Sequence, residues 1–105
     1  MPDMNDARDV LGLYATALIN HRIKPKEANV LSKCVGDFTE LATLRLKQFK
    51  KTHRRPPSII GLPSIRPVRD FLIRGKYRAA IVEARQTRAA MVPILKRMKE
   101  TVKEL

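Results

Sequence analysis

The stretch from Tyr77 to Leu105 constrains the fold most, because apolar side chains recur along it at alternating steps of four and three residues. Such spacing is typical of the apolar edge of a long amphipathic helix or of a coiled coil. Only Arg88 interrupts the series, and the helix would be about 43 Å long. The apolar series, which we name the seam, consists of Tyr77, Ile81, Ala84, Met91, Leu95, Met98 and Val102.

Pro93 lies inside this predicted helix. On a helical wheel it falls roughly opposite the seam, where a proline kinks a helix while its buried face stays continuous. The seam also keeps its phase across Pro93. The sequence therefore predicts one kinked helix, and a break with a separate terminal helix from Ile94 is the alternative.

Two more helices are predicted before residue 53. The first begins at a cluster of residues suited to capping and to the positive end of the helix dipole, namely Asp3, Asn5, Asp6 and Asp9. It ends near Asn20. Pro25 suits the first position of the second helix, and the short turn between them, residues 21–24, predicts an antiparallel hairpin.

The second helix carries an apolar face that is too broad for one neighbour. Leu31, Val35 and Phe38 keep the helical spacing, and Cys34 widens the face. We therefore expect two helices to pack on it and Cys34 to be a core residue. At Gly36 either the helix bends or another element packs closely on the missing side chain, and close packing is our expectation.

The amino-acid composition of the chain changes after residue 53. Prolines recur from Pro56 to Pro67 and exclude a continuous helix. Ile59, Ile60 and Ile65 would be exposed in a free linker, so we expect an extended strap packed on the helices. A short helix, Val68 to Arg74, follows, and Gly75 would end it in the left-handed conformation.

Together these elements predict a single all-α domain over residues 1–105. It would comprise an antiparallel helical hairpin (1–53), a Pro-rich strap (54–67) and a basic helical segment (68–105).

The composition and charge of the chain narrow the class of protein. The 105 residues hold 22 Lys and Arg against 10 Asp and Glu, a net charge of +12. Residues 54–105 carry most of that excess. A hydrophobic content of 44% excludes a disordered basic tail. A single cysteine, no signal peptide and no long apolar run favour a cytoplasmic protein.

Two groups of cations are candidate contacts for an anionic partner. One forms a stripe beside the seam on a helical wheel, and the other leads from the second helix into the strap. The candidate residues are Lys50, Lys51, Arg54, Arg55, Arg74, Arg78, Arg85, Arg88, Lys96, Lys99 and Lys103. A stripe of one sign favours a track for phosphates, although a solubilising face or compensation of a helix dipole would also place cations there.

Catalytic chemistry has no support in the sequence. His21, His53 and Cys34 lack the spacing of a metal site, and no phosphate-binding glycine loop is present. We expect no enzyme, no cofactor and no metal. The primary hypothesis is a protein that binds nucleic acid, DNA or RNA. The alternative is an inhibitor or adaptor that docks on an acidic surface of another protein.

The narrow seam also predicts a helical partner. Either a homodimer or a tight bundle within one chain would cover it, and the homodimer is our expectation. Because Trp is absent and the seam is narrow, a membrane surface is a poorer match.

The segment 17–33, followed by an apolar helix, resembles small helical proteins of bacteriophages and prophages. These carry a similar hairpin turn, with Ile23, Pro25, Glu27, Ala28 and Asn29 at the matching places. The resemblance covers about a third of the chain. It implies a phage or mobile-element origin, and hence the cytoplasm of a bacterial host, but it implies no activity.

Overall fold

The computed structural model describes residues 4–52 and 63–104, in which every regular element is an α-helix. The all-α prediction is therefore confirmed. The helices are α1 (Met4–Ile19), α2 (Pro25–Thr52), α3 (Arg66–Ile73) and α4 (Tyr77–Glu104).

The four helices form two hairpins that lie side by side. α1 packs on α2 and on α3, and α4 also packs on α2 and on α3. Within the described residues, α1 does not contact α4 and α2 does not contact α3. The bundle is therefore a closed ring in the order α1, α2, α4, α3. The broad face of α2 has the two neighbours that the sequence predicts.

Ion pairs show that α2 and α4 run in the same direction. Oδ2 of Asp37 lies 2.8 Å from Nε of Arg88, and Oε1 of Glu40 lies 2.8 Å from Nζ of Lys99. Later residues of α2 therefore meet later residues of α4. Both connecting turns lie at one end of a body that measures 46 × 20 × 20 Å.

The seam lies inside this bundle. Ile81, Ala84, Met91 and Leu95 are buried in one core with residues of α1, α2 and α3, and Tyr77, Met98 and Val102 are partly buried. The chain thus covers its own seam. A homodimer stays a prediction.

The structure settles three expectations about single residues. α4 passes through Pro93 without a break, and Pro93 is exposed. Cys34 is fully buried, and burial, followed by the charge of Asp37, raises the pKa of its thiol to about 11. The expectation for Gly36 was wrong: this residue is exposed, and a Cβ atom there would find no neighbouring group within 4 Å.

The described part of the strap ends in the core. Ile65 is fully buried, as expected, whereas residues 54–62 of the predicted strap lie outside the described part of the chain. α3 begins at Arg66, two residues before its predicted start, because Pro67 is accepted in its first turn.

Asp6 has a role that the sequence did not predict. α1 already begins at Met4, so Asp6 is a residue of its first turn, and only 5% of its side chain is exposed. Its Oδ2 lies 3.1 Å from Nε of Arg66, and its Oδ1 lies 2.8 Å from Nη1 of Arg69. Each carboxylate oxygen thus binds one arginine of α3. A hydrogen bond to Asp70, with the nearby carboxylates, also raises the pKa of Arg69.

The two turns of the hairpins share one backbone design. After α3, the amide of Gly75 donates to the carbonyl of Leu72 and that of Lys76 to Phe71. After α1, the amides of His21 and Arg22 bond in the same pattern. This is the Schellman motif, whose central residue takes a left-handed conformation. That residue is Gly75 (φ 71°) in one turn but His21 (φ 58°) in the other.

Replacement of His21 by glycine should stabilise the protein. A side chain in the left-handed region costs about 1 kcal/mol that glycine avoids. We expect His21→Gly to raise the free energy of unfolding by about 0.5–1 kcal/mol, measured by urea titration at pH 8. Gly75→Ala is the matched control and should lower it by about 1 kcal/mol. A destabilised His21→Gly variant would contradict this account.

Neutralisation of Asp6 should be among the costlier single changes at a charged residue. Asp6→Asn leaves two arginines without their buried partner, so we expect a loss of about 2 kcal/mol in the free energy of unfolding. Asp9→Asn is the control, because Asp9 is 52% exposed and lies 3.7 Å from Arg69; it should cost less than about 0.5 kcal/mol. Equal losses in thermal unfolding of the two variants would show that burial of Asp6 is unimportant.

Candidate nucleic-acid interface

Most of the cations predicted from the sequence are exposed. The exposed members of the described set are Lys50, Arg74, Arg78, Arg85, Lys96, Lys99 and Lys103. Arg88 is partly buried. The side chain of Lys51 and the whole of Arg54 and Arg55 lie outside the part of the chain that the structure describes, so their predicted roles stay predictions.

The predicted stripe on α4 is not a continuous line of available charge. Arg88 is held by Asp37 and Lys99 by Glu40, both on α2. The first pair is the more sheltered, because 21% of the Asp37 side chain is exposed against 43% of that of Glu40. Exposed pairs are worth about 0–1 kcal/mol. Lys99 can therefore exchange its partner for a phosphate at small cost, whereas Arg88 is mainly a structural residue.

Charge is instead sorted along the long axis of the bundle. The middle of the molecule comprises residues 4–19, 28–42, 63–72 and 80–93, which hold six Lys or Arg and six Asp or Glu. Its net charge is zero. Asp6, Asp9, Asp37, Glu40 and Asp70 all form ion pairs there.

The end that carries both turns is strongly basic. This turn end comprises residues 20–27 and 73–79, with six Lys or Arg and one Glu, a net charge of +5. Its glutamate, Glu27, accepts a hydrogen bond from the amide of Lys24 and so caps α2. The six cations are exposed, and they are Arg22, Lys24, Lys26, Arg74, Lys76 and Arg78.

The opposite end is basic as well. This far end comprises residues 43–50 and 94–103, with seven Lys or Arg and one Glu, a net charge of +6. α1 has 16 residues and α2 has 28, or about 24 Å against about 42 Å. Among the described residues, the far end is therefore formed by α2 and α4. Arg45 is buried, and the exposed cations are Lys47, Lys50, Lys96, Arg97, Lys99 and Lys103.

Sequence reasoning missed several of these residues. Arg97 was omitted because the prediction kept only the cations that lie along one line of the α4 helical wheel. Arg22 and Lys76 were omitted because they belong to turns that are far apart in the chain. The predicted hairpins alone place Arg22 and Lys76 at turns, but only the common direction of α2 and α4 brings those turns to one end.

A separate groove lies between α1 and the turn that joins α3 to α4. Its volume is about 730 Å³. Leu13, Ile73 and Tyr77 supply apolar lining, and Ile73 is 61% exposed. Arg8 and Arg22 also line it. The groove's one carboxylate, on Asp9, already lies near Arg69.

Neither a metal site nor a membrane span is evident in residues 4–52 and 63–104. No three His, Cys, Asp or Glu residues there are grouped so that they could hold a metal ion, and no described helix is long and apolar enough to cross a bilayer. No family model matches the chain, and no curated protein or solved structure is significantly similar to it. The resemblance to phage proteins stays a prediction.

Proposed function

We propose that this protein is a non-enzymatic nucleic-acid-binding protein that contacts the phosphate backbone through its basic ends, in the cytoplasm. The observation that carries this proposal is the axial sorting of charge. A face that serves solubility mixes both signs, whereas here most of the acids lie in the middle and the two ends carry net charges of +5 and +6.

The chemistry of the ends favours phosphates over bases. Lys and Arg form strong charge-assisted hydrogen bonds to phosphate oxygens. Direct reading of bases also uses Asn and Gln, and the two ends contain one of each, Asn20 and Gln48. Binding should therefore depend little on sequence and strongly on salt, for DNA and for RNA.

Three neutral substitutions at the far end should weaken binding in a salt-dependent way. The variant Lys96→Gln, Arg97→Gln, Lys103→Gln, which we name the far-end triple, avoids Lys99 and its internal partner. Each lost phosphate contact should reduce the slope of log K against log salt concentration by about 0.9 on duplex DNA. We expect the slope to fall by about 2–3 units in fluorescence anisotropy titrations from about 50 to 200 mM salt.

A matched control separates the position of the charge from its total. Ala15, Ser32 and Gln86 are exposed in the neutral middle of the molecule, and their replacement by Glu, the middle triple, also lowers the net charge by three. It should leave the slope unchanged. Equal effects of the two triples, or no binding by the unmodified protein at about 50 mM salt, would contradict the proposal.

The groove favours a second candidate function, the docking of an acidic segment of another protein. Ile73 and Tyr77 offer apolar contacts, and Arg8 and Arg22 offer charges to carboxylates, since Asp9 is already compensated. An acidic amphipathic helix would combine both kinds of contact. On this proposal the protein is an adaptor or inhibitor, within a bacterial host if the chain is encoded by a phage.

Thr16→Asp distinguishes the second candidate from the first, because Thr16 is exposed and lines the groove but lies outside the turn end. An added carboxylate in the groove should abolish binding of an acidic partner and leave binding of nucleic acid intact. The measurement is purification from bacterial lysate with and without nuclease, with stoichiometry read from light scattering. A partner that survives nuclease treatment, binds the far-end triple and is lost with Thr16→Asp supports docking. Loss of every partner on nuclease treatment contradicts it.

A further inference from the structure

We propose that one copy of this protein bridges two nucleic-acid segments, with one segment bound at the turn end and another at the far end. This inference rests on the proposed function and adds a bridging activity to it. Its basis is the presence of two basic clusters, of net charge +5 and +6, on opposite ends of one rigid bundle with a neutral middle.

The two ends act as independent electrostatic sites. The bundle is 46 Å long, and residues 28–42 of α2 separate the two ends by about 22 Å. At physiological ionic strength the screening length is about 8 Å. A phosphate chain held at one end therefore does not neutralise the other end, which keeps its own attraction for a second polyanion.

The sides of the bundle offer a polyanion no net attraction, because their acids and cations are equal in number. On the side formed by α1 and α3, Asp9 and Asp70 are 52% and 44% exposed. On the side formed by α2 and α4, Glu40 is 43% exposed and Asp37 lies beside it. A polyanion laid along either side would meet these carboxylates together with as many cations, among them Arg8, Lys33 and Arg85, so it would gain less than at an end. A polyanion that binds at an end meets one glutamate, Glu27 at the turn end or Glu100 at the far end, among at least six cations.

Attachment at one end leaves the other end pointing into solution. A second segment of the same long molecule is then captured intramolecularly and gains from high effective concentration, whereas a separate duplex binds the free end on its own affinity. The expected stoichiometry is two duplex segments per chain. Excess protein should dissolve the bridges, because each segment then binds its own copy.

A capture experiment tests the proposal with DNA duplexes of about 30 base pairs, about 100 Å in length, so that each is longer than the protein. One duplex is fixed to beads, and a second, fluorescent duplex is added with increasing protein. We expect retention of the fluorescent duplex that rises and then falls as protein passes the concentration of DNA. The same series with RNA duplexes tells whether the bridge depends on the kind of nucleic acid.

Variants of each end decide where the bridge is made. The turn-end triple is Arg22→Gln, Lys76→Gln, Arg78→Gln, and it is compared with the far-end triple. At about 50 mM salt each triple should still bind a single duplex through its intact end, but should capture the second duplex at least about tenfold less well. The middle triple should bind and capture like the unmodified protein, since its added carboxylates lie away from both ends.

Each failure has a distinct meaning. If the unmodified protein binds single duplexes but captures no second duplex at any ratio, bridging is wrong and the proposed function stands. If it binds no duplex, the proposed function fails. If each end triple still captures the second duplex, copies of the chain associate and the two-ended bridge is overturned. Weaker single-duplex binding by the middle triple would show contact along the side, which also overturns it.

Discussion

The arrangement of the bundle depends on the contact between Asp6 and the two arginines of α3. A carboxylate that is 5% exposed is tolerated only when it is paired, and Arg66 and Arg69 each bind one of its oxygens. α3 has eight residues, too few for a stable isolated helix. Because Asp6 fixes α3 on α1, and the Gly75 turn leads directly into α4, this contact sets where the seam begins to pack against α2.

The same need for internal pairing explains why the ends are basic. The chain has ten acids, and four of them form ion pairs between helices, on both sides of the ring. Asp6 and Asp9 join α1 to α3, and Asp37 and Glu40 join α2 to α4. Asp70 pairs with Arg69 of its own helix. Few acids are left to compensate the cations of the turns and of the helix tails. The charge on the ends is thus linked to the way the helices are joined.

Local features of the fold could be predicted from the sequence, and features set by neighbours could not. Pro25, Gly75 and the period of the seam indicate helix starts, stops and faces through short-range sterics and spacing. Gly36 was misjudged because its surroundings depend on which face of α2 is covered. Asp6 was assigned to the helix dipole because its arginine partners are 60 and 63 positions away. The candidate site was predicted less well than the fold. A helical wheel ignores position along the helix axis, so the prediction joined Arg74 and Lys103 into one surface.

Separation of the charge into two ends also lets the chain carry +12 at little cost to folding. Two unit charges about 6 Å apart on one helix face repel by about 0.7 kcal/mol in water, whereas two about 40 Å apart repel by about 0.1 kcal/mol before screening. A continuous stripe would accumulate the first kind of repulsion along its whole length. In this bundle the neutral middle interrupts it, so strong repulsion remains only within each end. On the proposed function, a bound phosphate chain would relieve that remaining repulsion, and because the repulsion is present separately at both ends, a single bound strand would relieve only part of it.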